Sequence, residues 1–121
     1  MFATDQQGNW WGTCPLIHVQ PGRFYGHADS IPDTRRPESP VKDPGVLPSG
    51  LTVVEAAARI PGFALPAVWF PYVKMGQSTT GIICNQTAGA FGPFERQLFI
   101  GDFTLAQVNR VFLEKVDGEY Q

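Results

Sequence analysis

Apolar residues in this chain come in short runs, not in long periodic stretches. Leu16-Ile17-His18-Val19, Val68-Trp69-Phe70, Thr80 to Cys84, Gln97 to Gly101 and Val108 to Val116 each read as a strand bounded by turn residues. Residues 1–27 read as two strands joined by the polar turn Asp5-Gln6-Gln7-Gly8-Asn9. Along Val108 to Val116, alternate residues fall on opposite faces. Val108, Arg110, Phe112, Glu114 and Val116 share one face, and Asn109, Val111, Leu113 and Lys115 the other. Neither face is cleanly polar, which predicts a strand covered on both sides. The hairpin of the Leu98 and Val108 strands is then the best protected, with Phe112 and Leu113 both in the core. One short helix is predicted. Thr52-Val53-Val54-Glu55 forms a capping box, Ala56-Ala57-Ala58-Arg59 favours helix, and Pro61-Gly62 ends it. The connections at 5–15 and 102–107 are too short for parallel crossovers, so the strands they join are antiparallel.

A second pattern lies over the first. Met1-Phe2-Ala3-Thr4-Asp5 is echoed by Leu98-Phe99-Ile100-Gly101-Asp102. Each block leads to an apolar run, then to a Gly-containing turn and an aromatic: Pro21-Gly22-Arg23-Phe24-Tyr25 in one case, Asp117-Gly118-Glu119-Tyr120 in the other. One supersecondary unit used twice, rich in β signals, points to propeller blades or a similar array.

Composition narrows the classes. A chain of 121 residues suits one domain with a modest core. Hydrophobic content of 43% against 17% charged excludes disorder throughout. The net charge is −2 and the nine Lys and Arg are scattered, so no basic stripe offers itself to nucleic acid. No apolar run approaches the ~20 residues of a membrane span, and no signal peptide is expected ahead of Phe2. Thirteen Gly and eleven Pro exceed what a helical bundle tolerates. Five of those prolines, Pro32, Pro37, Pro40, Pro44 and Pro48, fall within 28–50, which reads as a long surface loop. Cys14 and Cys84 belong to no CxxC pair, and a disulfide between them is left open. P-loop, HExxH, dinucleotide and nucleophile-elbow motifs are absent.

Several side chains are candidates for chemistry, each with a plainer structural role beside it. Asp5, Gln6, Gln7 and Asn9 cluster on a turn and could meet a ligand, or Asp5 could bond its own backbone. Trp10 and Trp11 face opposite ways if extended, and an exposed Trp beside amides can stack on a sugar ring; the alternative is packing between sheets. Lys74, Gln77 and Ser78 sit on a loop entering the Thr80 strand, where Lys74 could meet a carboxylate or remain solvated. His18 and His27 read as structural. Arg110, in an apolar strand, needs a carboxylate partner if buried, and Asp102 or Glu95 is available. Asn85-Gln86-Thr87 matches a glycosylation sequon.

These residues carry a resemblance. The segment Asp5-Gln6-Gln7-Gly8-Asn9-Trp10-Trp11-Gly12-Thr13, followed by Pro21-Gly22-Arg23-Phe24-Tyr25-Gly26-His27, resembles a propeller segment of the soluble quinoprotein glucose and sorbosone dehydrogenases. So do Trp69-Phe70-Pro71-Tyr72, Ser78-Thr79-Thr80-Gly81-Ile82, Phe94 to Asp102 and Asn109-Arg110-Val111-Phe112-Leu113, in the family's order. The nearest branch is that of large multidomain proteins fused to haem-binding cytochrome c domains. The resemblance implies an all-β fold: antiparallel strands forming one to two blades of a six-bladed β-propeller, with a Pro-rich loop and one short helix. Residues 1–27 would belong to one blade, 28–65 to an insertion with the helix, and 66–121 to the following blade. The chain would be a fragment of a periplasmic or extracellular oxidoreductase that transfers hydride from a sugar or other alcohol to pyrroloquinoline quinone (PQQ). It would be inactive alone, its partners being the remaining blades, a possible cytochrome c domain and a small sugar or alcohol. The other reading is a non-catalytic propeller module for carbohydrate or protein binding. On the resemblance, Gln6, Gln7, Lys74 and Gln77 would approach the quinone, Trp10 and Trp11 the substrate, and carbonyls of Gly8 and Asn9 a calcium ion. Where family members carry an acidic pair, this chain reads Thr13-Cys14-Pro15. The family's catalytic His lies in an earlier blade, so His18 and His27 do not inherit its role.

Overall fold

A computed structural model describes residues 1–121. Its regular structure is mostly antiparallel β. Strands β1 (Phe2–Thr4), β2 (Cys14–His18) and β3 (Val68–Phe70) form one three-stranded sheet in the order β1-β2-β3. Strands β4 (Thr79–Cys84), β5 (Leu98–Asp102) and β6 (Gln107–Val111) form a second, in the order β4-β5-β6. A small ribbon of β7 (Lys115–Val116) and β8 (Glu119–Tyr120) closes the chain. All these pairings are antiparallel, and for β1–β2 and β5–β6 this is what the short connections predict.

The main core lies between the two sheets. Cys14, Leu16 and Phe70 of the first meet Leu98, Ile100 and Val111 of the second, with Phe2, Val68, Ile82 and Leu113 packed around them. Burying each large side chain stabilises the fold by about 1.5–3 kcal/mol. Hydrogen bonds tie the sheets where β1 nears β4: Thr4 Oγ1 donates to Thr80 O at 2.9 Å, and Thr79 Oγ1 to Asp5 O at 2.9 Å.

A second core covers the first sheet's other side. Trp11, Phe24, Ala56, Ile60 and Phe63 are buried there. The Pro-rich segment contributes Ile31, Val41 and Leu47, so this loop is partly a packing layer. It contains a 3-10 turn at Ala28–Ser30 and a short helix α1 (Ile31–Thr34). Helix α2 (Val53–Arg59) forms where predicted, with both halves of its capping box: Thr52 N donates to Glu55 Oε2 at 2.8 Å, and Glu55 N to Thr52 Oγ1 at 3.3 Å.

Three expectations need correction. The run from Val108 to Val116 is not one strand, since β6 ends at Val111. Nor is it covered on both sides: Asn109 and Val111 are buried, whereas Val108 and Phe112 are 67% and 65% exposed. Phe91 and Phe94 pack on Phe99 and Arg110 of that face but leave Phe112 exposed, so Phe112 is not core. Finally, β3 pairs with β2, with Leu16 opposite Val68 and Cys14 opposite Phe70. The first sheet therefore reaches Phe70, and the second begins at Thr79, not at residue 66.

Candidate functional site

A cleft of about 600 Å³ lies between the turn at 9–13, the segment at 48–56 and β3. The turn supplies Trp10 and Trp11, and β3 supplies Trp69. The two adjacent tryptophans do not face opposite ways. The backbone bends through 9–13, and their ring centroids lie 5.2 Å apart, both against Phe63. Trp11 is buried and meets Trp69 edge to face at 4.5 Å. Its placement depends on Gly26 (φ +84°), where a Cβ would fall 2.2 Å from Trp11 Cζ2. The Trp11 indole N–H is buried without a partner. Trp10 is half-buried, and its N–H donates to Pro48 O at 2.8 Å. Polar lining comes from Asn9, Thr13 and Ser49; no Asp, Glu, His, Lys or Arg reaches the cleft. Thr13 Oγ1 is committed to Phe70 O.

Apart from Asn9, the other sequence-predicted residues do not join this cleft. Gln6 and Gln7 are exposed, and Gln7 Nε2 donates to Tyr72 Oη at 3.2 Å. That bond brings the first turn to the loop at 71–76, which carries Lys74. Gly8 and Asn9 are exposed, and the Asn9 amide donates to both carboxylate oxygens of Asp29 at 3.1 Å. Gln77 acts through its backbone N–H, which donates to Asp102. Asp5 Oδ1 accepts from Gln6 N at 2.8 Å, a local turn bond. His18 packs with Phe2 and Tyr120, and the His27 carbonyl accepts from Ser30. Tyr25 Oη donates to His18 O and accepts from Gln20 N, fixing the turn between them.

The resemblance implies PQQ and calcium, and the residues present do not match what either needs. PQQ carries three carboxylates, and Lys74 is the one cation among Gln6, Gln7, Lys74 and Gln77. No group of three His, Cys, Asp or Glu gathers to hold a cation. Gly8 and Asn9 offer carbonyls alone, and the Asn9 amide is already engaged. By themselves these residues do not fit either group.

The loop at 71–76 is tight. The backbone N–H groups of Lys74, Met75 and Gly76 all converge on Pro71 O. Val73 takes φ +59°, an unusual conformation for a β-branched residue. Gly76 crosses the first sheet so closely that a Cβ there would lie 2.5 Å from Phe70 Cβ.

Sequence reasoning missed the role of Asp102. Its side chain does not meet Arg110, which is exposed and lies over the Phe94 ring at 4.7 Å. Asp102 is 3% exposed and accepts from Gln77 N (2.7 Å), Ser78 N (2.9 Å) and Leu105 N (2.9 Å). Burial pushes its carboxyl up, but the backbone N–H groups of Gln77, Leu105, Ser78 and Thr104 together hold it below the usual value. The available signal was the Asp at a strand end, just before the turn at 103–106. The Asn85 amide nitrogen is buried and unpartnered, so the sequon residue serves a turn, with Asn85 Oδ1 accepting from Thr87. Both cysteines are free, Cys14 buried and Cys84 exposed.

No family model matches the chain, and no curated protein or solved structure does so either. No helix is long and apolar enough to cross a membrane.

Proposed function

We propose that the chain is a two-sheet segment of a β-propeller of the quinoprotein glucose/sorbosone dehydrogenase type. In this reading the intact protein is a periplasmic or cell-surface oxidoreductase acting on sugars or other alcohols, and these residues supply framework, not its catalytic centre. One observation carries the reading: the offset of the two sheets. The sequence repeat equates β1 with β5 and β2 with β6, because each pair flanks an Asp-ended strand. The first sheet then continues with β3 on the far side of β2, and the second begins with β4 on the far side of β5. The two sheets thus read as strands two to four of one blade and one to three of the next, packed face to face. The open face of the second sheet, with Ile83, Val108 and Phe112 exposed, suits a further blade.

The experiment is a structure of the natural protein that carries this chain. The expected result is a fourth strand beside β6 and another sheet over Ile83 and Val108. A solvent-exposed face there in the whole protein would overturn the reading. A specific observation favours a second reading, the non-catalytic carbohydrate-binding module. The large cleft presents aromatic rings and amide or hydroxyl groups, and no acid, base or nucleophile. PQQ-dependent aldose oxidation by the natural protein would exclude it.

A further inference from the structure

We infer that the cleft beside β3 is a binding site for a neutral sugar ring. Its volume of about 600 Å³ falls within the ~300–1,000 Å³ of small-molecule sites. Trp10 and Trp69 present apolar surface to it, and apolar ring faces suit the C–H faces of a pyranose. Trp10 is held in place before any ligand arrives. Its N–H is tied to Pro48 O at 2.8 Å and its ring packs edge-on against Phe63 at 5.6 Å, so little ordering is left for binding to impose.

The polar lining selects among ligands. Ser49 Oγ makes no hydrogen bond within the chain, and Asn9 uses only its amide nitrogen, leaving Oδ1 free to accept from a hydroxyl. Both residues are exposed, so these groups are open to a ligand's hydroxyls, and a purely apolar ligand would engage neither. A phosphate or carboxylate ligand would meet no cation, since no titratable side chain lines the cleft. A polyhydroxylated, uncharged ring satisfies both constraints. The inference rests on the carbohydrate-binding reading of this cleft; all the lining residues belong to these 121, so binding here does not depend on the propeller reading, and either can fail without the other.

The test is titration of the chain with D-glucose, maltotriose, cellotriose and trigalacturonate, followed by tryptophan fluorescence and calorimetry. At least one neutral saccharide should bind saturably, and trigalacturonate more weakly or not at all. Trp10→Ala should weaken binding about tenfold, equivalent to ~1.4 kcal/mol. Because Trp10 also packs on Phe63, a second variant guards against loss of fold. Gly12 lines the cleft, is exposed, and has open space where a Cβ would go. Gly12→Leu should keep the circular dichroism spectrum and unfolding midpoint while abolishing binding. No saturable binding of any neutral saccharide, unchanged binding in Gly12→Leu, or preference for trigalacturonate would each overturn the assignment.

Discussion

Asp102 is where a single side chain carries two turns. Its carboxylate gathers backbone N–H groups from the 77–78 entry to β4 and from the 104–105 turn after β5. Asp102→Asn should cost about 1.5–3 kcal/mol, since hydrogen bonds to a charged acceptor are lost or weakened. Because the folded carboxyl sits below its unfolded value of about 3.9, its contribution is present above that pH and is lost as pH falls through the folded value. Glu55, hydrogen-bonded by the Thr52 backbone and hydroxyl, and Asp43, bonded by Arg35 and the Gly45 backbone, are lowered in the same direction. Chemical denaturation should therefore show level stability from about pH 7 to 5 and a decline below about pH 4. The decline should be shallower in Asp102→Asn; equal slopes would remove Asp102 from the account. Val73 permits an opposite test. It is 59% exposed at φ +59°, so Val73→Asn should stabilise by about 0.5–1 kcal/mol, since Asn tolerates this region better.

At the scale of elements, the β5–β6 hairpin has one wet and one dry face. Ile100 is fully buried between the sheets, and Phe112, just past β6, is mostly exposed. Ile100→Ala should cost about 2–5 kcal/mol and Phe112→Ala under about 1 in this chain. A large loss at Phe112 measured by denaturant unfolding would mean that something covers that face. Helix α2 contributes Ala56 to the second core, and Ile60 just after its last turn adds to it. Thr52→Ala breaks its capping box and should cost about 1 kcal/mol, read as a lower unfolding midpoint.

At the scale of the molecule, the layers run from the insertion and α2, through the first sheet, to the second sheet and then to open apolar surface. Ile83, Phe91, Val108 and Phe112 make that surface, with Phe99 beneath Phe91 at 5.4 Å between ring centroids. Such a face favours association. Size-exclusion chromatography of the isolated chain should show concentration-dependent self-association, reduced by Val108→Lys. A monodisperse monomer at all concentrations would argue that the face is tolerated in water. The same preparation should show no dye-linked aldose oxidation with added PQQ and calcium, because the cleft supplies no base and the one carboxylate of the turn at 5–9, Asp5, lies outside it and bonds Gln6 N.

What the sequence determined by itself were the features set by neighbours along the chain. The capping box at Thr52 and Glu55, the strand at Val68 to Phe70, the antiparallel sense of the hairpins and the Asp-ended repeat all depend on local geometry and short connections. Tertiary structure decided what depends on partners distant in sequence. Alternation in Val108 to Val116 could not say which face stays dry, because Leu98, Cys14 and Phe70 make that choice from far along the chain. Adjacent tryptophans were placed side by side by a bend packed on Phe63 and a glycine at 26, not by strand alternation. Asp102 was assigned to backbone N–H groups and not to Arg110 because the turn at 77–78 folds onto it, a contact that spans 25 residues. The cleft itself exists only because the Pro-rich insertion returns to cover the first sheet and leaves Trp10 and Trp69 along its edge.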